Sequence, residues 1–240
     1  MARKLKIGVL WCTVFKRRHW YRNLDLPDAY RPASLFASRM REDGHEIEFL
    51  LCDELLKLSD LDGTKRTLAD DVDLLYIVSH GELNSSQAPR VNFEALLKDV
   101  NWEPGGNKGI GNGSLTAVVF DTCHLINTSK KSGSKVVWGA ASLGPNLRLL
   151  LGFDGPAAID HELAERGYAF ADNLIGGKTF ATAWLQAVNS TNPPDYSRPV
   201  AIGIEDPAYT GQSVLDTASL SQIPSPRSPG TPIFTERFLP

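Results

Sequence analysis

The sequence predicts an α/β protein built on an open, mostly parallel sheet of six strands, with helices on both faces. Short apolar runs alternate along the chain with segments of helical periodicity, a pattern typical of βαβ units. Two of the runs, residues 74–78 (LLYIV) and 115–120 (LTAVVF), are continuous rather than alternating, with Thr116 as their only interruption. Strands buried on both faces of a parallel sheet have this continuous pattern. The length of 240 residues suits one such domain.

The strands are predicted from short apolar runs bounded by polar residues, glycine or proline. The first run, KIGVLW, begins at residue 6, and the most strand-like run is DLLYIVS, which begins at residue 73. In chain order the six predicted strands are Lys6–Trp11, His45–Cys52, Asp73–Ser79, Leu115–Phe120, Leu147–Phe153 and Pro199–Ile204.

Three segments have apolar residues at helical spacing. Residues 31–41 form the first predicted helix, with a proline suited to the first turn and Gly44 just past the end. Residues 91–100 (VNFEALLKDV) predict a short amphipathic helix. Residues 159–188 predict a longer helical region that breaks at the glycine pair 176–177.

The composition changes near the C-terminus. Residues 1–209 are predicted to form one α/β domain, whereas residues 210–240 are rich in Ser, Pro and Thr. This composition predicts an extended or disordered extension. The alternative is a strap that crosses the domain through its apolar residues, Ile233, Phe234 and Phe238.

Charge and cysteine content narrow the class of protein. The 25 basic and 28 acidic residues give a net charge of −3, so nothing indicates a nucleic-acid partner. No apolar stretch approaches the length of a membrane span, and the first apolar run is too short for a signal peptide. Cys12, Cys52 and Cys123 are a poor disulfide framework and suit a reducing compartment. We therefore expect a cytoplasmic protein without a membrane partner.

Reactive side chains follow two of the predicted strands. The third strand leads directly into His80 and Gly81, and the fourth leads into Asp121 and Cys123. In open parallel sheets, ligands bind outside the carboxyl ends of the strands. If these two strands are neighbours, they lie about 4.8 Å apart. The sequence therefore predicts that the imidazole and the thiol meet in one crevice, as a base and a nucleophile must.

The chemistry of such a pair is well defined. A free thiol has a pKa of about 8.5, and a nearby imidazole raises the fraction of reactive thiolate. Gly81 allows close approach of the backbone to a substrate, and its N–H, with that of Cys123, can form an oxyanion hole. Asp154 follows the fifth strand and is expected to line the same crevice.

A strand followed by His-Gly, and a later strand followed by Asp-x-Cys, resembles the caspase-like cysteine peptidases. The run Asp121–His124 (DTCH) is similar to the metacaspase motif Asp-Ser-Cys-His-Ser-Gly. Residues 149–188 also resemble the last third of bacterial caspase-like domains. The order of elements is similar over about residues 5–205, and the specific motifs cover about fifteen residues. In two places the sequence departs from the family pattern: Ser79 precedes the histidine, and Leu125 and Ile126 replace the Ser-Gly.

The resemblance implies roles for four residues. Cys123 is the expected nucleophile, His80 the general acid and base, and Gly81 and Cys123 the donors to the oxyanion. Asp121 occupies the position of an acidic residue that helps to bind a basic P1 side chain in metacaspases. The implied activity is a cysteine endopeptidase acting on a peptide or protein, with cleavage after a basic residue as the implied specificity.

Other functions remain open at this stage. The same thioester captured by an amine gives a transpeptidase or a peptide cyclase. The chain can also be a non-catalytic binding module of the same fold, with Cys123 as a structural thiol. A zinc site of His80, Cys123 and His124 lacks a close pair of ligands, and the glycine-rich loop at 105–113 lacks the Walker order. We therefore expect neither a metal nor a cofactor; the oligomeric state stays open.

Overall fold

The structure of the chain is a computed structural model. It describes residues 3–14, 25–55, 61, 67–83, 89–95, 98–102, 110–126, 143–158, 162–191, 197–208, 211–228 and 233–238. These residues form an α/β fold with a mostly parallel sheet flanked by helices, which confirms the predicted fold class.

The main sheet has seven strands, one more than predicted, in the order β2-β1-β3-β7-β8-β9-β10. The first five strands in this order run parallel, whereas β9 and β10 each run antiparallel to the strand before them. The six predicted strands are confirmed with small shifts at their ends. The strands of this sheet are β1 Lys6–Trp11, β2 Glu46–Cys52, β3 Leu74–Val78, β7 Ala117–Asp121, β8 Leu149–Phe153, β9 Pro199–Glu205 and β10 Ile233–Phe238.

The central strands are buried on both faces. Every residue of β3, β7, β8 and β9 is buried, which is why their sequences are apolar apart from the carboxylates that end β7 and β9. Alternate residues enter two separate apolar clusters. Leu74, Tyr76 and Val78 belong to one cluster, and Leu75 and Ile77 belong to the other.

The long helices pack together on one face of the sheet. They are α1 Tyr30–Glu42, α2 Arg166–Ile175 and α3 Phe180–Ser190, and their apolar residues share the cluster of Tyr76. The predicted break at Gly176 and Gly177 separates α2 from α3. Gly44 follows α1 with a left-handed φ of 91°, as predicted for the end of that helix. Ala69, from a 3-10 turn at Leu68–Asp71, is in the other cluster.

The prediction of a helix over residues 91–100 is wrong. This segment contributes to a separate three-stranded antiparallel sheet of β4 His80–Leu83, β5 Pro89–Ala95 and β6 Lys98–Trp102. Ala95 pairs with Lys98, so two residues connect β5 to β6 as a hairpin. Polar and apolar residues alternate from Val91 to Ala95, and this period of two fits a strand better than a helix.

Part of the C-terminal extension completes the main sheet. β10 pairs antiparallel with β9 along its whole length, from Ile233 with Glu205 to Phe238 with Val200. A one-turn helix, α4 Val214–Thr217, also packs against the domain. Phe234 and Phe238 contact the cluster that contains Ile77, so two of the three residues proposed for a strap do pack on the domain.

Two sequence predictions lie partly outside the described residues. They concern most of the glycine-rich loop at 105–113 and the start, at 159–161, of the predicted helical region. In the part of the chain that the structure describes, no helix is both long and apolar enough to cross a membrane.

Candidate functional site

The two strands that precede His80 and Cys123 are neighbours in the main sheet. β3 and β7 pair in parallel, with Leu74 opposite Ala117 and Val78 opposite Asp121. His80 and Cys123 each follow the last pair of this register by two residues. The backbone contact continues just beyond the paired strands, because the N–H of Ser79 donates to the carbonyl of Asp121 at 3.4 Å. The two strands are therefore neighbours, as expected, whereas the meeting of the imidazole with the thiol stays a prediction.

Gly81 lies directly against the peptide group of Cys123. A Cβ atom at Gly81 would overlap the carbonyl oxygen of Cys123 and lie 2.9 Å from its carbonyl carbon and 3.1 Å from its nitrogen. Only glycine permits this approach. The expected reason for a glycine here was close approach to a substrate, whereas the structure shows close approach to the Cys123 backbone. The preceding residue, His80, pairs with Asn92 in the small sheet. The tips of β3 and β7 thus form one packed unit.

We expect Gly81→Ala to destabilise the protein. Because the added methyl group would meet backbone atoms, the free energy of unfolding should fall by about 1–3 kcal/mol, as in other overpacked sites. Urea denaturation measures the change. Gly211→Ala is the control, since Gly211 is exposed and a Cβ there meets nothing within 4 Å. Equal stability of the two variants would contradict the close contact of Gly81 with Cys123.

The sulfur of Cys123 contacts the loop that follows β8. The N–H of Ala157 donates to Sγ at 3.2 Å, and the thiol donates to the carbonyl of Ala157 at 3.3 Å. The turn after Cys123 approaches the same loop, because the N–H of His124 donates to the carbonyl of Gly155 at 2.6 Å. Burial raises the pKa of the Cys123 thiol, while the Ala157 N–H opposes this effect. The thiol is therefore protonated in this arrangement.

Asp121 does not face the crevice as a free carboxylate. It is fully buried, and its two oxygens bind the guanidinium of Arg166, with Nε donating to Oδ2 at 3.0 Å and Nη2 donating to Oδ1. The hydroxyl of Tyr76 also donates to Oδ2, at 2.9 Å. Burial and the nearby carboxylate raise the pKa of Tyr76, which keeps this phenol protonated. An internal arginine thus occupies the carboxylate that the resemblance assigned to a substrate's basic side chain.

Asp154 follows β8 directly, at the same carboxyl edge of the sheet as Cys123. It is buried, and its carboxylate pairs with Arg198 at 3.4 Å. Its N–H donates to the carbonyl of Arg198 at 2.9 Å. The structure therefore places Asp154 in the expected region, but its contacts are with Arg198, the residue directly before β9. These contacts give no direct support to a role in substrate binding.

Sequence reasoning missed Arg166, Tyr76 and Ala157. Arg166 carried a detectable signal, because it lies in line with Phe170 and Leu174 at a spacing of four residues along a helix. An arginine on the buried stripe of a helix requires an acidic partner inside the protein. The contact through Ala157 involves only its backbone, so residue identity carries no signal of it.

The arrangement defines a class of protein before any comparison is made. It is an α/β protein, consistent with the caspase-like fold, with a thiol and an imidazole following neighbouring strands. The described residues include no group of three or more His, Cys, Asp or Glu side chains arranged to bind a metal ion.

The chain belongs to the family described as "Domain of unknown function (DUF6345)", which it matches over residues 14–212. His80, Cys123 and Arg166 all lie inside this range. No curated protein matches the sequence.

Proposed function

We propose that the protein is a caspase-like cysteine peptidase in which Cys123 is the nucleophile and His80 the general acid and base. The observation that carries the proposal is that β3 and β7 are parallel neighbours paired up to Val78 and Asp121, so that His80 and Cys123 each follow by two residues the paired ends of adjacent strands. In the proposed reaction Cys123 attacks the scissile carbonyl and forms a thioester. His80 takes the proton of the thiol as the sulfur attacks and gives it to the amine as the C–N bond breaks. It then takes a proton from the water that attacks the thioester and returns it to the departing sulfur, which releases the acid product.

The contact of Gly81 with Cys123 supports the proposal. It brings two backbone segments together beside the sulfur, and their N–H groups are the proposed donors to the oxyanion. The proposal includes no preference for a basic P1 residue through Asp121, because Arg166 and Tyr76 occupy that carboxylate. Specificity therefore has to be measured.

The decisive test is a positional peptide library incubated with the wild type, Cys123→Ala and Cys52→Ala. Cys52 is the matched control, because it is also a partly exposed thiol at a strand end and burial also raises its pKa. We expect cleavage by the wild type and by Cys52→Ala but not by Cys123→Ala. Mass spectrometry of the products separates hydrolysis from transpeptidation, because joined or cyclic peptides appear only in the second case. Cleavage by Cys123→Ala would overturn the proposal.

One observation favours a second candidate function, a non-catalytic binding module. The thiol of Cys123 donates a hydrogen bond to the carbonyl of Ala157 and accepts one from the N–H of the same residue. Its pKa is also raised, and both features are properties of a structural cysteine. Alkylation by iodoacetamide distinguishes the two candidates. A nucleophile reacts at least tenfold faster than Cys52 in the same protein, whereas a structural thiol reacts no faster than Cys52.

The pH dependence of hydrolysis follows from the pKa of Cys123. The thiolate is the reactive form, and a raised pKa moves its formation to higher pH. We therefore expect kcat/KM to increase from about pH 6 to beyond about pH 8.5, the usual pKa of a free thiol. Initial rates on one cleaved peptide measure this profile. An acid limb with its midpoint well below neutral pH would contradict the expectation and would indicate that Cys123 and His80 ionise as a pair.

A further inference from the structure

The loop that contacts the sulfur of Cys123 is itself held by a buried arginine. Nη2 of Arg166 donates to the carbonyl of Ala158 at 3.1 Å. Ala158 directly follows Ala157, whose backbone is hydrogen-bonded to the thiol. The same guanidinium binds both oxygens of Asp121, two residues before Cys123. One side chain therefore connects the tip of β7 with the loop after β8, on either side of the sulfur.

Arg166 is fixed in place by the elements around it. It is the first residue of α2 and is fully buried, and its guanidinium carbon lies 5.1 Å from the centre of the Phe153 ring. The next residue, Gly167, is packed so closely on α1 that a Cβ there would overlap the carbonyl oxygen of Pro32. The start of α2 therefore has little freedom to move, and the fork of the arginine is oriented before any substrate binds.

We propose that Arg166 is a positioning residue for Cys123, which ties Asp121 to Ala158 and so holds the backbone of Ala157 against the sulfur. The inference rests on the proposed role of Cys123 as the nucleophile. Misplacement of a reacting group by about 1 Å can lower a rate about 10²-fold. A single rigid connection between the two sides of the thiol limits such misplacement.

The pair also sets the electrostatic environment of the sulfur. Arg166 lowers the pKa of Cys123 and Asp121 raises it, both acting after the larger effects of burial and the Ala157 N–H. Because Asp121 and Arg166 have opposite effects on the pKa of Cys123, the intact pair holds the site in place and adds little net charge near the sulfur. The titratable groups on the elements around Cys123 include Tyr76 on β3, His80 on β4, Asp121 and His124 on either side of it, Asp154 after β8, and Arg166 on α2.

The test compares variants that remove one charge each. The pH midpoint of Cys123 alkylation should rise by about one unit in Arg166→Gln, because a cation near the thiolate is lost. It should fall by about one unit in Asp121→Asn, because an anion is lost. The double variant should return close to the wild-type midpoint. Mass spectrometry of the alkylated peptide provides the readout, so peptidase activity is not required.

Two further variants separate positioning from general damage to the fold. Tyr76→Phe removes a hydrogen bond to Asp121 but no charge present at neutral pH, so it should lower stability without moving the midpoint. Arg166→Lys retains the charge but loses the fork, so the midpoint should stay near that of the wild type while kcat falls at least tenfold. If Arg166→Gln does not fold, the comparison of Asp121→Asn with Tyr76→Phe decides the electrostatic part.

The outcomes also separate this inference from the proposed function. Midpoints that move in the same direction in both single-charge variants, or that do not move, overturn the role of Arg166. Full activity in Arg166→Lys overturns it as well. Opposite shifts in a wild-type protein that cleaves no peptide would support the environment of Cys123 described above but would remove the peptidase proposal.

Discussion

Replacing Cys123 with alanine should lower kcat/KM by on the order of 10⁵-fold, because the group that forms the thioester is lost. Replacing His80 with alanine should lower it by about 10³-fold, since positioned acid–base catalysis contributes about 10²–10⁴-fold. The effect of His80 should be large here because burial keeps the Cys123 thiol protonated. Initial rates on one peptide, with folding checked by circular dichroism, measure both variants.

The two losses should not add. Once the thiol is absent, no thioester forms and the imidazole of His80 has no proton transfer to catalyse. The double variant should therefore have the rate of Cys123→Ala. Cys52→Ala should retain the wild-type rate and controls for loss of a thiol at another strand end of the same sheet. Independent, multiplicative effects of Cys123 and His80 would indicate that the two side chains do not act together. The proposal of a dyad would then be abandoned even if hydrolysis itself were observed.

The strands were predictable because their burial determines their composition. In β3 and β7 both faces are covered, so every residue is apolar apart from Asp121 at the end of β7. The hairpin of β5 and β6 was not recognised, because a sequence of ten residues can satisfy both a period of two and a period near 3.6. Tertiary pairing of β4 with β5 decides between them, and that pairing is not visible in the local pattern.

The candidate site was predictable to the extent that it depends on strand ends. The carboxyl ends of neighbouring parallel strands meet at one edge, and the two strands that precede His80 and Cys123 are such neighbours. The meeting of the two side chains themselves stays a prediction. The surroundings of the sulfur were not predictable. Ala157 acts through its backbone, and the role of Asp121 depends on a helix that follows it by more than forty residues. A carboxylate at a motif position therefore does not reveal whether its partner is a substrate or the protein itself.

One buried carboxylate, that of Glu205, adds side-chain contacts to the backbone pairing between the C-terminal segment and the sheet. Glu205 is fully buried at the end of β9. It accepts hydrogen bonds from the hydroxyl of Ser213 at 2.5 Å, the hydroxyl of Thr235 at 3.0 Å and the N–H of Val214 at 3.1 Å. It also lies 3.9 Å from the guanidinium of Arg148, which is buried beside it. Glu205 thus connects β9, α4 and β10.

We expect Glu205→Ala to lower the free energy of unfolding by about 3–5 kcal/mol, the usual effect of removing one partner of a buried ion pair. The three donors would lose their acceptor at the same time, and unpaired buried donors add to the loss. Guanidinium denaturation measures the change. Asp172→Ala is the control, because Asp172 pairs with Arg39 at the surface and should contribute less than about 1 kcal/mol. A loss of similar size in the two variants would contradict the role of Glu205 as a stabilising connection between β9, α4 and β10.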